Sequence, residues 1–350
     1  MITRLFIIAV FIAANGPGNA AIYDLPPDGH DVIGAVSTMV ATYDDTLVDI
    51  ARRHGLGYQD IVRANPDVNV WVPGEGTEVI LPNRFVLPPG PRTGLVLNLA
   101  EYRMYYFPEP KAGEPAKVHT YPMSIGRMDW ETPLGKTQIV AMAKDPAWYP
   151  PQSVRDEHAA DGDPLPRVVK PGPENPLGTR ALRLGIPGYL IHGTNRPAGV
   201  GMRVSHGCIR MFPEDVEFLF DRIAVKTAVR IIDVPVKMGW DGAELVAEVH
   251  RLLEVPQRLP EETAEHIETL DADVELPEIE SFSKDPLTYI TEQFIAVTAE
   301  KPGQLDWDLV EALVARSDGI PEVVGIGIEV VGVDTKETGI KNAATSAAFE

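Results

Sequence analysis

The chain of 350 residues contains one cysteine, Cys208. A single thiol has no partner within its own chain, so no intrachain disulfide holds this fold, and cysteine-rich structural zinc sites are excluded with it. Positive charge is also scarce: 31 Lys and Arg stand against 51 Asp and Glu, a formal net of −20. That balance argues against nucleic acid as a partner, because binding it relies on Lys and Arg neutralising phosphates. Long apolar runs are missing after the N-terminus. A helix that spans a bilayer needs ~20 consecutive apolar residues, so no transmembrane segment is expected in the mature chain.

Residues 1–20 supply Arg4 as a short basic start, an apolar run over 5–14, and the small residues Gly18, Asn19 and Ala20 before Ala21. This is the pattern of a cleavable signal peptide, and its run is too short for an anchor. A bacterial periplasm is the expected location. The negative charge is unevenly spread. Residues 235–350 hold 25 acidic against 8 basic side chains, whereas residues 1–234 hold 26 against 23. The acidity therefore belongs to a C-terminal extension, 235–350, and carries no information about the substrate of the cysteine region. Within it, 259–280 reads as a solvated connector or surface helix.

A proline-rich stretch, 83–93, reads as a semi-rigid linker, and Pro235 closes a central region, 94–234. Before the linker, residues 37–82 have the pattern of a small βααβ module. Asp45 or Thr46 caps a first helix whose Leu47, Ile50 and Ala51 share a face before His54 and Gly55 end it. A second helix over 58–64 is stopped by Asn65-Pro66, and 78–81 returns as a strand. The text "TLVDIARRHGLGYQDIVRANP" followed by "GTEVILP" resembles a LysM glycan-binding module. The resemblance implies binding to the glycan of peptidoglycan, with a plain spacer as the alternative. Nothing in the sequence ties the module to the cysteine region, so independence from it is expected.

From 94 to 234 the pattern is one of short alternating strands. Residues 94–99 and 103–107 form a hairpin, with further strands at 118–124, 136–141, 189–192 and 229–234. Only 213–223 reads as a helix, with Pro213 in its first turn and Val216, Leu219, Phe220 and Ile223 on one stripe. The expected fold is a mainly β domain, a mixed-sheet β-sandwich with one packed helix, preceded by the βααβ module.

The chemistry gathers on two histidines and the thiol. His192 precedes Cys208 by 16 residues, and the two meet only if the glycine-rich stretch containing Gly199 and Gly201 folds back. An imidazole beside the sulfur then favours the thiolate and carries protons, the arrangement of a cysteine acyl-transfer enzyme. Backbone N–H groups at Gly207 and Cys208 are candidates to stabilise an oxyanion. Two other readings stand beside this one. Zinc would take His192, His206 and Cys208, although the last two are spaced unlike usual ligands and no second cysteine exists. The other is a buried, inert cysteine beside core histidines.

The segment "IHGTNRPAGVGMRVSHGCIRM" is similar to the signature of bacterial L,D-transpeptidases: an upstream His, a spacer, then Ser-His-Gly-Cys and an Arg. The resemblance extends over roughly residues 94–234, including "SIGRMDWETPLGKTQI". It implies that Cys208 is the nucleophile, His192 the base and acid, the Gly193 carbonyl an orienter of His192, and Arg210 a residue shaping the donor site. Ser205, His206 and Gly207 are supporting residues. A structural role is preferred for His206, since His192 already supplies a base. The implied reaction is attack on the bond between the diamino acid and D-Ala of a peptidoglycan tetrapeptide stem, with transfer to an amine. That amine is either a second stem, giving a 3-3 cross-link, or a lysine of an outer-membrane lipoprotein. Hydrolysis of the same bond, as in an L,D-carboxypeptidase, and non-catalytic wall binding are the alternatives. No metal or organic cofactor is implied.

Overall fold

A computed structural model describes residues 21–127, 130–253 and 285–328. The signal-peptide pattern of 1–20 and the acidic stretch 259–280 lie outside the described residues. The chain enters as strand β1 (Ala21–Asp24) and then builds β2 (Val32–Val40), helices α1 (Leu47–Arg53) and α2 (Tyr58–Ala64), and β3 (Glu78–Val86). Thr46 is the cap of α1: its hydroxyl accepts from Asp49 N–H at 3.0 Å and donates to the Asp49 carboxylate at 2.7 Å. Asn65 stops α2, and its side chain continues onto β3, donating to Ile80 O at 2.9 Å and accepting from Ile80 N–H at 2.7 Å. β2 and β3 pair antiparallel from Val32–Val86 to Val40–Glu78. The ladder thus starts before residue 37 and consumes the first four residues expected as linker. Gly34 permits this, since a β-carbon there would lie 1.9 Å from Asn83 O.

The central region continues with β4 (Gly94–Asn98), β5 (Arg103–Phe107), β6 (Lys117–Pro122), β7 (Ile125–Gly126), β8 (Gly135–Lys144), α3 (Gln152–Ala160), β9 (Arg180–Leu184), β10 (Leu190–His192), β11 (Arg203–Ser205), β12 (Ile209–Arg210), α4 (Pro213–Phe220) and β13 (Ala228–Ile232). The expected sandwich is instead one curled, mixed, nine-stranded sheet in the order β1-β6-β5-β4-β13-β8-β9-β10-β12, with β7 and β11 as a separate parallel ribbon. Pairs β4–β13 and β10–β12 are parallel, and the other neighbours are antiparallel. Inward residues Leu95, Leu97, Met104, Tyr106, Leu182, Ile191, Ile209 and Ile231 close around α4 through Val216 and Leu219. The outward residues Val96, Tyr105, Phe107 and Val118 are buried too, against Leu47, Ile50, Ile61 and Phe85 of the N-terminal module. β4 and β5 are therefore buried on both faces, beyond the single buried face that an alternating pattern implies.

The acidic extension holds a second core. Strands β14 (Val236–Asp241) and β15 (Glu244–Val249), helix α5 (Pro286–Thr298), β16 (Gly303–Leu305), α6 (Trp307–Arg316) and β17 (Glu322–Gly327) form a four-stranded sheet, β14-β15-β17-β16, with two helices. Trp240, Leu245, Val249, Ile290, Val310, Leu313 and Val324 fill it. At its root Lys237 Nζ lies 2.6 Å from the Glu101 carboxylate, 2.9 Å from that of Glu248 and 2.9 Å from the Tyr105 hydroxyl, while Glu248 also accepts from Val86 N–H at 2.6 Å. All three parts of the molecule meet at this buried cluster. Among the described residues no helix is long and apolar enough to cross a membrane.

Candidate active site

Strands β10 and β12 pair in parallel, Ile191 with Ile209 and His192 with Arg210. Ile191 and Ile209 are core residues, so by strand alternation Cys208, His192 and Arg210 share the opposite face. Met211 N–H donates to His192 O at 2.9 Å and prolongs the ladder. The return between the strands is the expected one: a 3-10 turn at Pro197–Gly199 and Gly201 at φ +88° fold the segment back. His192 is 3% exposed, and its Nδ1 lies 2.6 Å from Gly193 O. A carbonyl only accepts, so Nδ1 carries the proton and Nε2 is left as the acceptor. Gly193 is wedged in place, since a β-carbon there would approach Val216 Cγ1 to 3.2 Å and Leu177 O to 3.3 Å.

The turn that carries Cys208 is tied from several sides. The Ser205 hydroxyl donates to Cys208 O at 2.5 Å, and the Thr132 hydroxyl donates to Gly207 O at 2.8 Å. Gly207 sits at φ +88°, over Tyr189, whose Cε1 would be 2.8 Å from an added β-carbon. The Cys208 sulfur is 3.7 Å from Gly188 O, which accepts from the thiol. Burial pushes the thiol above its ordinary value, against a Leu190 N–H and the Arg210 charge that pull it down. Burial, reinforced by Arg210, lowers His192 to about 3 despite its Gly193 bond. Burial thus favours the neutral form at both Cys208 and His192. The expected thiolate bias is corrected: desolvation outweighs the pull of nearby charge.

Helix α3 and its cargo were not legible in the sequence. Only Val154 of α3 is buried, so the helix shows no apolar stripe. It delivers Glu157 to the turn that carries Cys208, where one carboxylate oxygen lies 2.9 Å from His206 Nε2 and the other accepts from Arg127 at 2.7 Å. Trp130 meets the His206 ring edge-on at 5.3 Å. His206 thus ties α3 to the turn. Burial lowers its basicity while Glu157 opposes the change. Burial raises the Glu157 carboxyl, but Arg127 and His206 more than reverse this and hold it below its usual value. Arg210 is half-buried, its Nε has no hydrogen-bond partner among the described residues, and Arg196 and Arg127 are close enough to depress its basicity further.

The zinc set of His192, His206 and Cys208 does not converge. Among the described residues, the one group of three or more such donor atoms within 4.8 Å of one another is Glu101, Glu248 and His250. The Lys237 ammonium already lies between the two carboxylates there.

Residues 92–231 match the YkuD family, described as the L,D-transpeptidase catalytic domain. "Probable L,D-transpeptidase ErfK/SrfK" of Salmonella typhimurium is 36% identical over 313 residues, 88% of this chain and 92% of that protein. "Probable L,D-transpeptidase YcfS" of Escherichia coli is 38% identical over 267 residues, covering 73% and 82%. Among solved structures, an L,D-transpeptidase from Mycobacterium tuberculosis aligns at TM-score 0.29 and 16% identity, over 45% of this chain and 64% of that one. With its near full-length relatives, and a catalytic-domain match that brackets both His192 and Cys208, this chain belongs to the L,D-transpeptidase family.

Proposed function

We propose that the chain is a periplasmic peptidoglycan L,D-transpeptidase in which Cys208 and His192 are the reacting pair. The observation that carries this is the parallel pairing of β10 with β12, which sets both side chains on one face while Gly193 O fixes the His192 tautomer. As the Cys208 sulfur attacks the carbonyl of the diamino acid in a tetrapeptide stem, His192 Nε2 takes the thiol proton. That proton passes to the leaving nitrogen, D-Ala departs, and a thioester remains. His192 then deprotonates the acceptor amine as it resolves the thioester. A neutral resting pair suits this order, because charge develops only during attack and no imidazolium is stored.

The Arg210 guanidinium, within electrostatic reach of Arg196 and Arg127, supports a carboxylate-bearing donor. Its buried, unpartnered Nε is a suitable donor to a substrate oxygen. Backbone N–H groups of Gly207 and Cys208 are the proposed oxyanion donors. The acceptor is a stem diamino acid or a lipoprotein lysine, and the N-terminal module, LysM-like in sequence, contacts glycan. Exposed Tyr43, Trp71 and Val72 on that module support a sugar-stacking surface. Incubation with a soluble disaccharide-tetrapeptide tests the reading by mass spectrometry: D-Ala loss with a cross-linked dimer is expected. Tripeptide alone would make the chain a hydrolase, and unchanged substrate would leave wall binding as the function.

A further inference from the structure

The loop joining His192 to Cys208 is held by a part of the molecule distant in sequence. Tyr58 N–H donates to Val200 O at 2.9 Å and Gln59 N–H to Gly201 O at 3.4 Å, so the first residues of α2 meet the loop end-on. The two backbones touch. A β-carbon at Gly201 would lie 2.4 Å from Tyr58 N and 2.6 Å from Gly57 Cα, and one at Gly57 would lie 2.9 Å from Gly201 Cα. The start of α2 is itself fixed by Asp60, which accepts from Gly57 N–H at 2.8 Å and from buried Arg103 at 2.5 Å. Alongside, Arg52 of α1 makes a two-pronged ion pair with Glu214 of α4 at 2.7 and 2.8 Å.

From this contact the path to the sulfur is short. Gly199 O accepts from the Ser124 hydroxyl at 2.8 Å, and Met202 O accepts from Ile125 N–H at 3.2 Å. β11 then pairs with β7 through Arg203 and Ser205, and Ser205 grips the Cys208 carbonyl. A passive spacer needs no backbone contact with the catalytic loop, yet here a glycine stands on each side to allow one.

We infer that the N-terminal module is a positioning element of the active site: by fastening Val200 and Gly201 it sets the placement of Cys208 against His192. The inference rests on those two residues being the reacting pair. It replaces the expectation that the module is independent of the cysteine region. A spacer that merely props the catalytic domain would leave the geometry of the turn unchanged when its contacts are weakened. A positioning element would not, because displacing reacting groups by ~1 Å can cost up to 10²-fold in rate.

The test uses the full chain with Gly57→Ala, Arg52→Glu, and the charge-swapped pair Arg52→Glu with Glu214→Arg. Gly57 has an ordinary φ of −89°, so alanine there changes the contact and not the local backbone. Each folded variant is measured for kcat and KM on a soluble tetrapeptide at 25 °C, and for the rate of Cys208 alkylation by iodoacetamide. Both single changes should lower kcat by about tenfold with little change in KM. They should also speed alkylation by releasing the half-buried sulfur, and the swapped pair should restore both readings. Folded single variants with wild-type kcat and alkylation rates, even with a lowered melting temperature, would overturn the inference. Should the wild type turn over no tetrapeptide, the reaction reading fails, and the alkylation rates alone still decide whether the module sets the turn.

Discussion

Glu157 and His206 are 49 residues apart in sequence and 2.9 Å apart in space. Together with Arg127 they pin α3 to the turn that carries Cys208. Glu157→Gln keeps a neutral acceptor but loses the charge that holds both partners, and kcat should fall by about tenfold, within the range for misplaced groups. The Glu157 carboxyl is held below its ordinary value. Its contribution is therefore complete above the ordinary carboxylate range and is lost as pH falls through the depressed value. Amide exchange of α3 should accelerate over that acid window in the wild type and show no such step in Glu157→Gln.

The neutral resting pair has its own signature. Iodoacetamide labelling of Cys208 should titrate above the ordinary thiol value of ~8.5, and Arg210→Ala should move the midpoint higher still, because the guanidinium favours the thiolate. His192→Ala should leave that midpoint nearly unchanged, since a neutral imidazole lends the sulfur no charge. The same change should slow release of D-Ala from the soluble tetrapeptide by about 10²–10⁴-fold, the usual contribution of a positioned acid–base group. Cys208→Ser should release no D-Ala at all. A midpoint at or below the free-thiol value would show that the pair rests as an ion pair.

Lys237 is the only cation touching Glu101 and Glu248 among the described ion pairs other than His250, which burial keeps neutral at about 3. Lys237→Ala strands two carboxylates with no exposure to water, and urea unfolding should report a loss of about 3–5 kcal/mol, the usual cost of breaking a buried pair. Lys237→Met together with Glu101→Gln should recover part of it. Equal loss in the single and double variants would show that packing, not charge, is what the lysine supplies.

Deleting residues 285–350 removes α5, β16, α6 and β17 from the core around Trp240 and Leu245. The remaining hairpin β14–β15 would present that apolar face to water. The truncated chain should therefore aggregate or bind a hydrophobic dye, as followed by light scattering. A monomeric, fully active truncation would show that this unit is dispensable.

Much of the local structure was legible in the sequence. Thr46, Gly55 and Asn65 mark the ends of α1 and α2 through their own side chains or backbone freedom, and the alternating runs at 94–99 and 103–107 are β4 and β5. The return that pairs β10 with β12 followed from the glycines between them. What was not legible depends on partners far along the chain. α3 has almost no apolar face, so its existence shows only when Glu157 reaches His206. The sign of the Cys208 shift depends on how deeply the turn is packed, which no spacing encodes. The docking of α2 on Val200 and Gly201 uses backbone atoms, and backbone atoms leave no residue signature beyond glycine.

The Lys237 cluster also bears on when the molecule can fold. Glu101 meets its ammonium partner 136 residues later, and Glu248 reaches back 162 residues to Val86 N–H. Closing such long loops is entropically expensive and is rewarded late, which makes for slow folding. Until β14 and β15 arrive, the turn after β4 holds a carboxylate with no counterion, and the sheet beside it cannot be sealed from water. The burial of Glu101, in the first half of the chain, is therefore completed only when the second half supplies Lys237.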